Sequence, residues 1–132
     1  MLIGIPKILS PDLLKILCEM GHGDTLVIAD GNFPAASCAK RLVRLDGHGA
    51  IEVLKAIMEV MPLDEAPDKR IGVMSTGNDF VPEIWKRFES YADGLYEVER
   101  FAFYEKAKDA YCIIATSESA LFANAILTKG VI

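Results

Sequence analysis

Apolar residues along the 132-residue chain follow two rhythms, one recurring every three to four positions and one running in short unbroken stretches. Ser10-Pro11 opens the first helical stretch, since serine caps free amides and proline fits the first turn. Leu13, Leu14, Leu17 and Met20 then share one face, and Gly21 ends the pattern, so a helix is predicted to about Met20. Thr25 to Asp30 is a short apolar run closed by a carboxylate. It predicts a buried strand with its polar residue at the carboxyl end. Gly21-His22-Gly23-Asp24 therefore falls in a helix-to-strand turn.

Gly31-Asn32-Phe33-Pro34 has the chemistry of a loop, and Leu42 to Leu45 suggests a short strand before Asp46-Gly47. Ile51, Leu54, Ile57, Met58 and Met61 repeat at helical spacing until Pro62. Residues 62–70 are polar and carry two prolines, which predicts a surface connection within the domain. Ile71 to Ser75 is a strand candidate. Pro82 with Val81, Ile84, Trp85 and Phe88 predicts a third helix, and Leu95 to Val98 a weak strand. Residues 100–110 are helical by propensity, Tyr111 to Thr116 is rich in β formers, and a last strand covers about Asn124 to Thr128. Helices alternating with short strands predict an α/β fold, a single domain over residues 1–132 in three layers with a largely parallel sheet. In such sheets ligands gather at the carboxyl ends of the strands.

Composition narrows the function. At 52% hydrophobic and 25% charged residues the chain has the means to bury a core. Fourteen Lys and Arg against 19 Asp and Glu give a formal charge of −5, the wrong sign for a polyanion partner, so nucleic acid and anionic membrane surfaces are disfavoured. Cys18, Cys38 and Cys112 are odd in number and far apart, which predicts buried free thiols in a reducing, cytoplasmic compartment rather than disulfides. The first residues, with Pro6, Lys7 and Asp12, do not read as a signal peptide, and no stretch approaches the ~20 apolar residues of a membrane span.

Candidate chemistry starts at His22. Flanking glycines admit close approach of a ligand, and imidazole exchanges protons near neutral pH. The same tripeptide also serves as an ordinary turn whose imidazole caps a helix. Asp30 is placed to orient an imidazole or accept from a ligand hydroxyl, or equally to form a turn before Gly31. Arg100 and Tyr104, four apart, share a helical face and reach one ligand together, or else form a packed surface pair. Arg44 and Asp46 read as a structural salt bridge. His22 and His48 are remote from one another, no Cys or His pair has ligand spacing, and Gly21–Asp24 is no phosphate loop, so neither metal nor nucleotide cofactor is expected.

The segments LLKILCEMGHGD (13–24), LVIADGNFPA (26–35), RFAFYEKA (100–107) and ILTKGV (126–131) together resemble the fucose mutarotase and ribose pyranase family over nearly the whole chain. That resemblance implies a cofactor-free isomerase acting on a free monosaccharide, with His22 as proton donor for ring opening. It also implies sugar binding by Asp30, Arg100 and a triplet that reads Phe122-Ala123-Asn124 here, where the family carries tyrosine first. The FYE pattern places Tyr104 on the fucose side, where the ribose branch tends to have histidine. Losing the family's tyrosine hydroxyl at Phe122 implies either reduced affinity and rate or compensation by another group such as Tyr104. The family's rings, commonly decamers with sites near subunit boundaries, imply a homo-oligomer. L-fucose mutarotation is the leading expectation, with D-ribose pyranase or a non-catalytic sugar-binding or transport-accessory protein as alternatives.

Overall fold

Six strands form one sheet in the computed structural model, which describes residues 1–132. Helix α1 spans Pro11–Glu19, β1 Thr25–Ala29, α2 Ala35–Cys38, β2 Leu42–Leu45, α3 Ala50–Met58 and β3 Ile71–Met74. Then follow α4 Ile84–Glu89, β4 Tyr96–Val98, α5 Arg100–Asp109, β5 Cys112–Thr116 and β6 Ala125–Thr128. The order across the sheet is β2-β5-β1-β6-β3-β4. β2, β5 and β1 pair in parallel, as do β3 and β4, while β6 runs antiparallel between β1 and β3. The expected three-layer α/β architecture with a largely parallel sheet is what the chain adopts, with one strand reversed at its centre.

The elements form for the reasons their sequence suggests. Ser10 Oγ accepts from the Leu13 amide at 3.2 Å, with Pro11 in the first turn. β3, β5 and β6 are buried along their whole length and β1 after its first residue, because helices cover both faces of the sheet. Edge strand β2 instead alternates exposed and buried residues, and its Arg44 pairs with Asp46 at 3.0 Å as expected. Two elements differ from the sequence reading. The four-residue α2 is too short to show a period, and of the three thiols expected to be buried Cys38 is half-buried and Cys18 is exposed, because it lies beside rather than on the Leu13-Ile16-Leu17 face of α1. Cys112 is the buried thiol, and burial pushes it up to about 11.

The two cores are unequal. α1, α3 and α4 enclose a cluster of 27 buried residues on one face, whereas α2 and α5 enclose only 11 on the other. On the thinner side Phe103, fully buried, anchors α5 to the sheet, and truncating it to alanine would cost about 3–5 kcal/mol. The helix it anchors begins at the carboxyl end of the strands, so the shallow layer leaves a cleft there.

Candidate active site

The reversal of β6 builds that cleft. β5 ends at Thr116 and the chain loops through 117–124 before re-entering the sheet, so Asn124, just ahead of β6, arrives beside Asp30, just past β1. The Asp30 amide donates to Asn124 Oδ1 at 2.8 Å, and Asn124 Nδ2 donates to Asp30 Oδ2 at 3.0 Å. The Asn32 amide donates to Asp30 Oδ1 at 3.0 Å, the turn expected at this position, and the same carboxylate borders the cleft. Asp30 is 6% exposed and Asn124 4%, and burial of a carboxylate is tolerable only with such donors. A polar pair this well held keeps its position before any ligand arrives.

Around it opens a cleft of about 640 Å³, bordered by Asp30, Phe33, Arg100, Tyr104, Phe122 and Asn124 among others. Arg100 and Tyr104 do share one face of α5, with the guanidinium carbon 5.9 Å from the Tyr104 ring centre. Phe33 stacks against Tyr104, ring centres 5.5 Å apart, and closes the site from the loop after β1. Apolar rings beside hydrogen-bonding groups suit a sugar, whose faces carry C–H bonds and whose rim carries hydroxyls. Ala123 is fully buried and does not border the cleft.

Sequence reasoning overlooked several lining residues. Phe33 was legible only as part of a turn, and Met74 only as a strand residue. Glu99 caps α5, accepting from the Phe101 and Ala102 amides at 3.0 Å each, and those amides hold its carboxyl below the usual range. An acidic residue directly before a helix start was the available signal.

His22 is elsewhere. It precedes β1, whose five residues at about 3.3 Å each put roughly 16 Å between the two ends of the strand. Its turn is tied to the C-terminal segment: the Gly23 amide donates to the Lys129 carbonyl, and the Lys129 amide to the Asp24 carbonyl, both at 2.9 Å. Lys129 Nζ also donates to the Leu17 and Met20 carbonyls at 2.7 and 2.6 Å, closing the end of α1. Gly130 packs so tightly on Leu63 that a Cβ there would strike its backbone. The KGV motif thus holds the histidine turn in place.

The His22 side chain is 60% exposed, and its Nε2 lies 3.2 Å from Asp64 Oδ2. The Ala66 amide, ahead of His22, holds Asp64 below the usual carboxylate range. No spacing rule links positions 42 apart, so Asp64 could not be found from sequence. Within one chain, then, the structure gathers Asp30, Arg100, Tyr104, Phe122 and Asn124 at one cleft and leaves His22 with Asp64 at the opposite end of the sheet.

Known proteins share this arrangement of the chain. Residues 3–132 match the family described as RbsD / FucU transport protein family. The crystal structure of the fucose mutarotase from Streptococcus pneumoniae in complex with L-fucose is similar at 46% identity and a TM-score of 0.92, covering 99% of each chain. The fucose mutarotase of Mus musculus is 44% identical over 96% of this chain and 92% of its own length. Bacillus subtilis RbsD complexed with D-ribose is similar at 25% identity and a TM-score of 0.77, covering 94% of this chain and 95% of that one. By the extent of these matches, the chain belongs to the RbsD / FucU transport protein family.

Proposed function

We propose that this protein is an L-fucose mutarotase, an isomerase that interconverts the α and β anomers of the free sugar. The observation that carries the reading is the buried Asp30–Asn124 pair facing Arg100 and Tyr104 across one cleft, in a chain much closer to a fucose-bound relative than to a ribose-bound one. Mutarotation delivers a proton to the ring oxygen as its bond to the anomeric carbon breaks, while the anomeric hydroxyl gives up its proton to solvent water and becomes the aldehyde oxygen. The open aldehyde rotates and recloses on its other face.

The residues divide the work. Asp30 accepts from sugar hydroxyls, the Arg100 guanidinium donates to them, and Asn124 holds the anomeric end. Phe33 and Phe122 flank the C–H faces. Tyr104 supplies the phenol that Phe122 lacks. His22 protonates the ring oxygen, with Asp64 fixing the imidazole through Nε2 so that the other ring nitrogen faces the substrate.

Because His22 and the cleft stand at opposite ends of β1, the acid/base comes to each cleft from a neighbouring copy, which requires a homo-oligomer. Exposed Phe101 and Leu121 border the cleft, with exposed Phe80 and Val81 as further apolar surface for a second copy. A closed ring, the decamer of the family resemblance, satisfies that geometry at every site. No helix is long and apolar enough to cross a membrane. Three unpaired thiols suit the cytoplasm.

Exchange NMR on equilibrated L-fucose tests the reading. Magnetisation transfer between α and β signals speeds up with the protein and falls by about 10²- to 10⁴-fold with His22→Ala, the usual contribution of one acid/base. Faster furanose exchange of D-ribose with fucose unaffected selects the pyranase instead, and sugar binding without faster exchange leaves a binding protein.

A further inference from the structure

The cleft depends on a backbone conformation that its own residues do not secure. Phe122 has φ +55°, in the left-handed region that a bulky side chain rarely occupies without support. It lies two residues before Asn124, so its twist sets the direction in which the chain enters β6 and the point at which Asn124 meets Asp30. The support comes from outside the cleft. Trp85 Nε1 donates to the Phe122 carbonyl at 2.9 Å from the buried side of α4, and Trp85 itself is only 6% exposed.

Trp85 borders no part of the cleft. It belongs to the larger core with Ile84 and Phe88, and through Phe122 it joins that rigid layer to the sugar-facing layer. Indole supplies one directional donor on a broad apolar body, so a single residue both fills the core beneath α4 and fixes the carbonyl.

We infer that Trp85 is a positioning residue of the mutarotase: its indole N–H latches Phe122 in the left-handed conformation and thereby sets Phe122 and Asn124 for the sugar. The inference rests on the fucose reading for its substrate and on the hydrogen bond for its mechanism. Loss of the latch acts on sugar binding, because Phe122 and Asn124 hold the ring, and it leaves the proton step to His22. A purely structural tryptophan would alter thermal stability without separating KM from kcat.

The experiment compares wild type with Trp85→Phe, which retains most of the apolar body and loses the donor. Expected are a rise in KM for L-fucose on the order of tenfold with kcat within about twofold, and faster hydrogen exchange of the Asn124 side-chain amide measured by NMR. Wild-type exchange at Asn124 in the variant overturns the inference, whatever KM does. Should the wild type prove inactive on L-fucose, the fucose reading fails while the Asn124 comparison still decides the latch. If Trp85→Phe does not fold, the wild type supplies the test. Trp85 is the sole tryptophan, so its one indole N–H resonance must shift as L-fucose saturates the cleft, and a resonance that stays fixed overturns the inference.

Discussion

The two ends of β1 carry opposite kinds of functional group. At the carboxyl end Asp30 and Asn124 are buried, bonded to each other twice, and held by the sheet register. At the amino end His22 is exposed on a turn, with Asp64 as its one side-chain partner. Recognition of several hydroxyls requires fixed acceptors and donors, which burial provides. A proton donor that serves a neighbouring copy must instead project from the surface, which burial would forbid. Under the proposed function the contrast is between sugar-binding groups that one chain positions by itself and a proton donor that reaches a cleft only by assembly.

The most decisive way to break this contrast is to disable each end in a different chain. Asp30→Ala removes the central acceptor and leaves Asn124 Nδ2 without its acceptor, although the residue 30 amide still donates to Asn124 Oδ1, and it is expected to lower kcat/KM for anomer exchange by at least 10²-fold; His22→Ala falls as described above. Dissociating and reassembling the two variants together should restore a substantial fraction of activity, since some clefts then combine an intact Asp30 with an intact His22 from the next copy. Mixtures no more active than the separate variants would mean that each chain completes its own site, and the comparison would fall.

A smaller effect sharpens the amino end. Asp64→Asn keeps the shape but loses the charge that orients the imidazole, and kcat is expected to drop roughly tenfold with KM little changed. The pH behaviour follows from the direction of the Asp64 shift. Its carboxyl lies below its ordinary 3.8, held there first by the Ala66 amide and less by His22, so the stability this shift contributes is present above that value and is lost as pH falls through the lower, folded one. Loss of wild-type activity between about pH 5 and 7 therefore does not report Asp64. An acid limb in that range that vanishes in Asp64→Asn would contradict the assignment.

How much of this was legible beforehand differs between the same two regions. The strand from Thr25, the helix carrying Arg100 and Tyr104 and the final strand were readable because each has a clear period or an unbroken β-rich run. Asp30 was readable as the polar end of a buried strand. The reversed direction of β6 was not, because a fully buried strand looks the same whichever way it runs, and that direction is what brings Asn124 to Asp30. Asp64 sits in a polar, proline-bearing connection and meets His22 only through the Leu63–Lys129 bridge, a contact that no local pattern encodes. The separation of His22 from Asp30, by contrast, was implicit in the predicted strand between them, which puts the histidine turn before β1 and the carboxylate at its far end.

The mildest perturbation concerns binding alone. Trp85 reaches the carboxyl end through the Phe122 carbonyl, so L-fucose entering the cleft should change the emission of this lone fluorophore by some per cent. His22→Ala leaves Asp30, Arg100 and Asn124 untouched, and its titration should give a Kd within about threefold of wild type even though turnover is nearly abolished. Asp30→Ala should flatten the titration at the same sugar concentrations. That pattern requires recognition to reside at one end of the sheet and proton transfer at the other. If His22→Ala weakened binding as severely as Asp30→Ala, the imidazole would be a principal sugar ligand rather than a proton donor, and the division of labour between the two ends of β1 would be wrong.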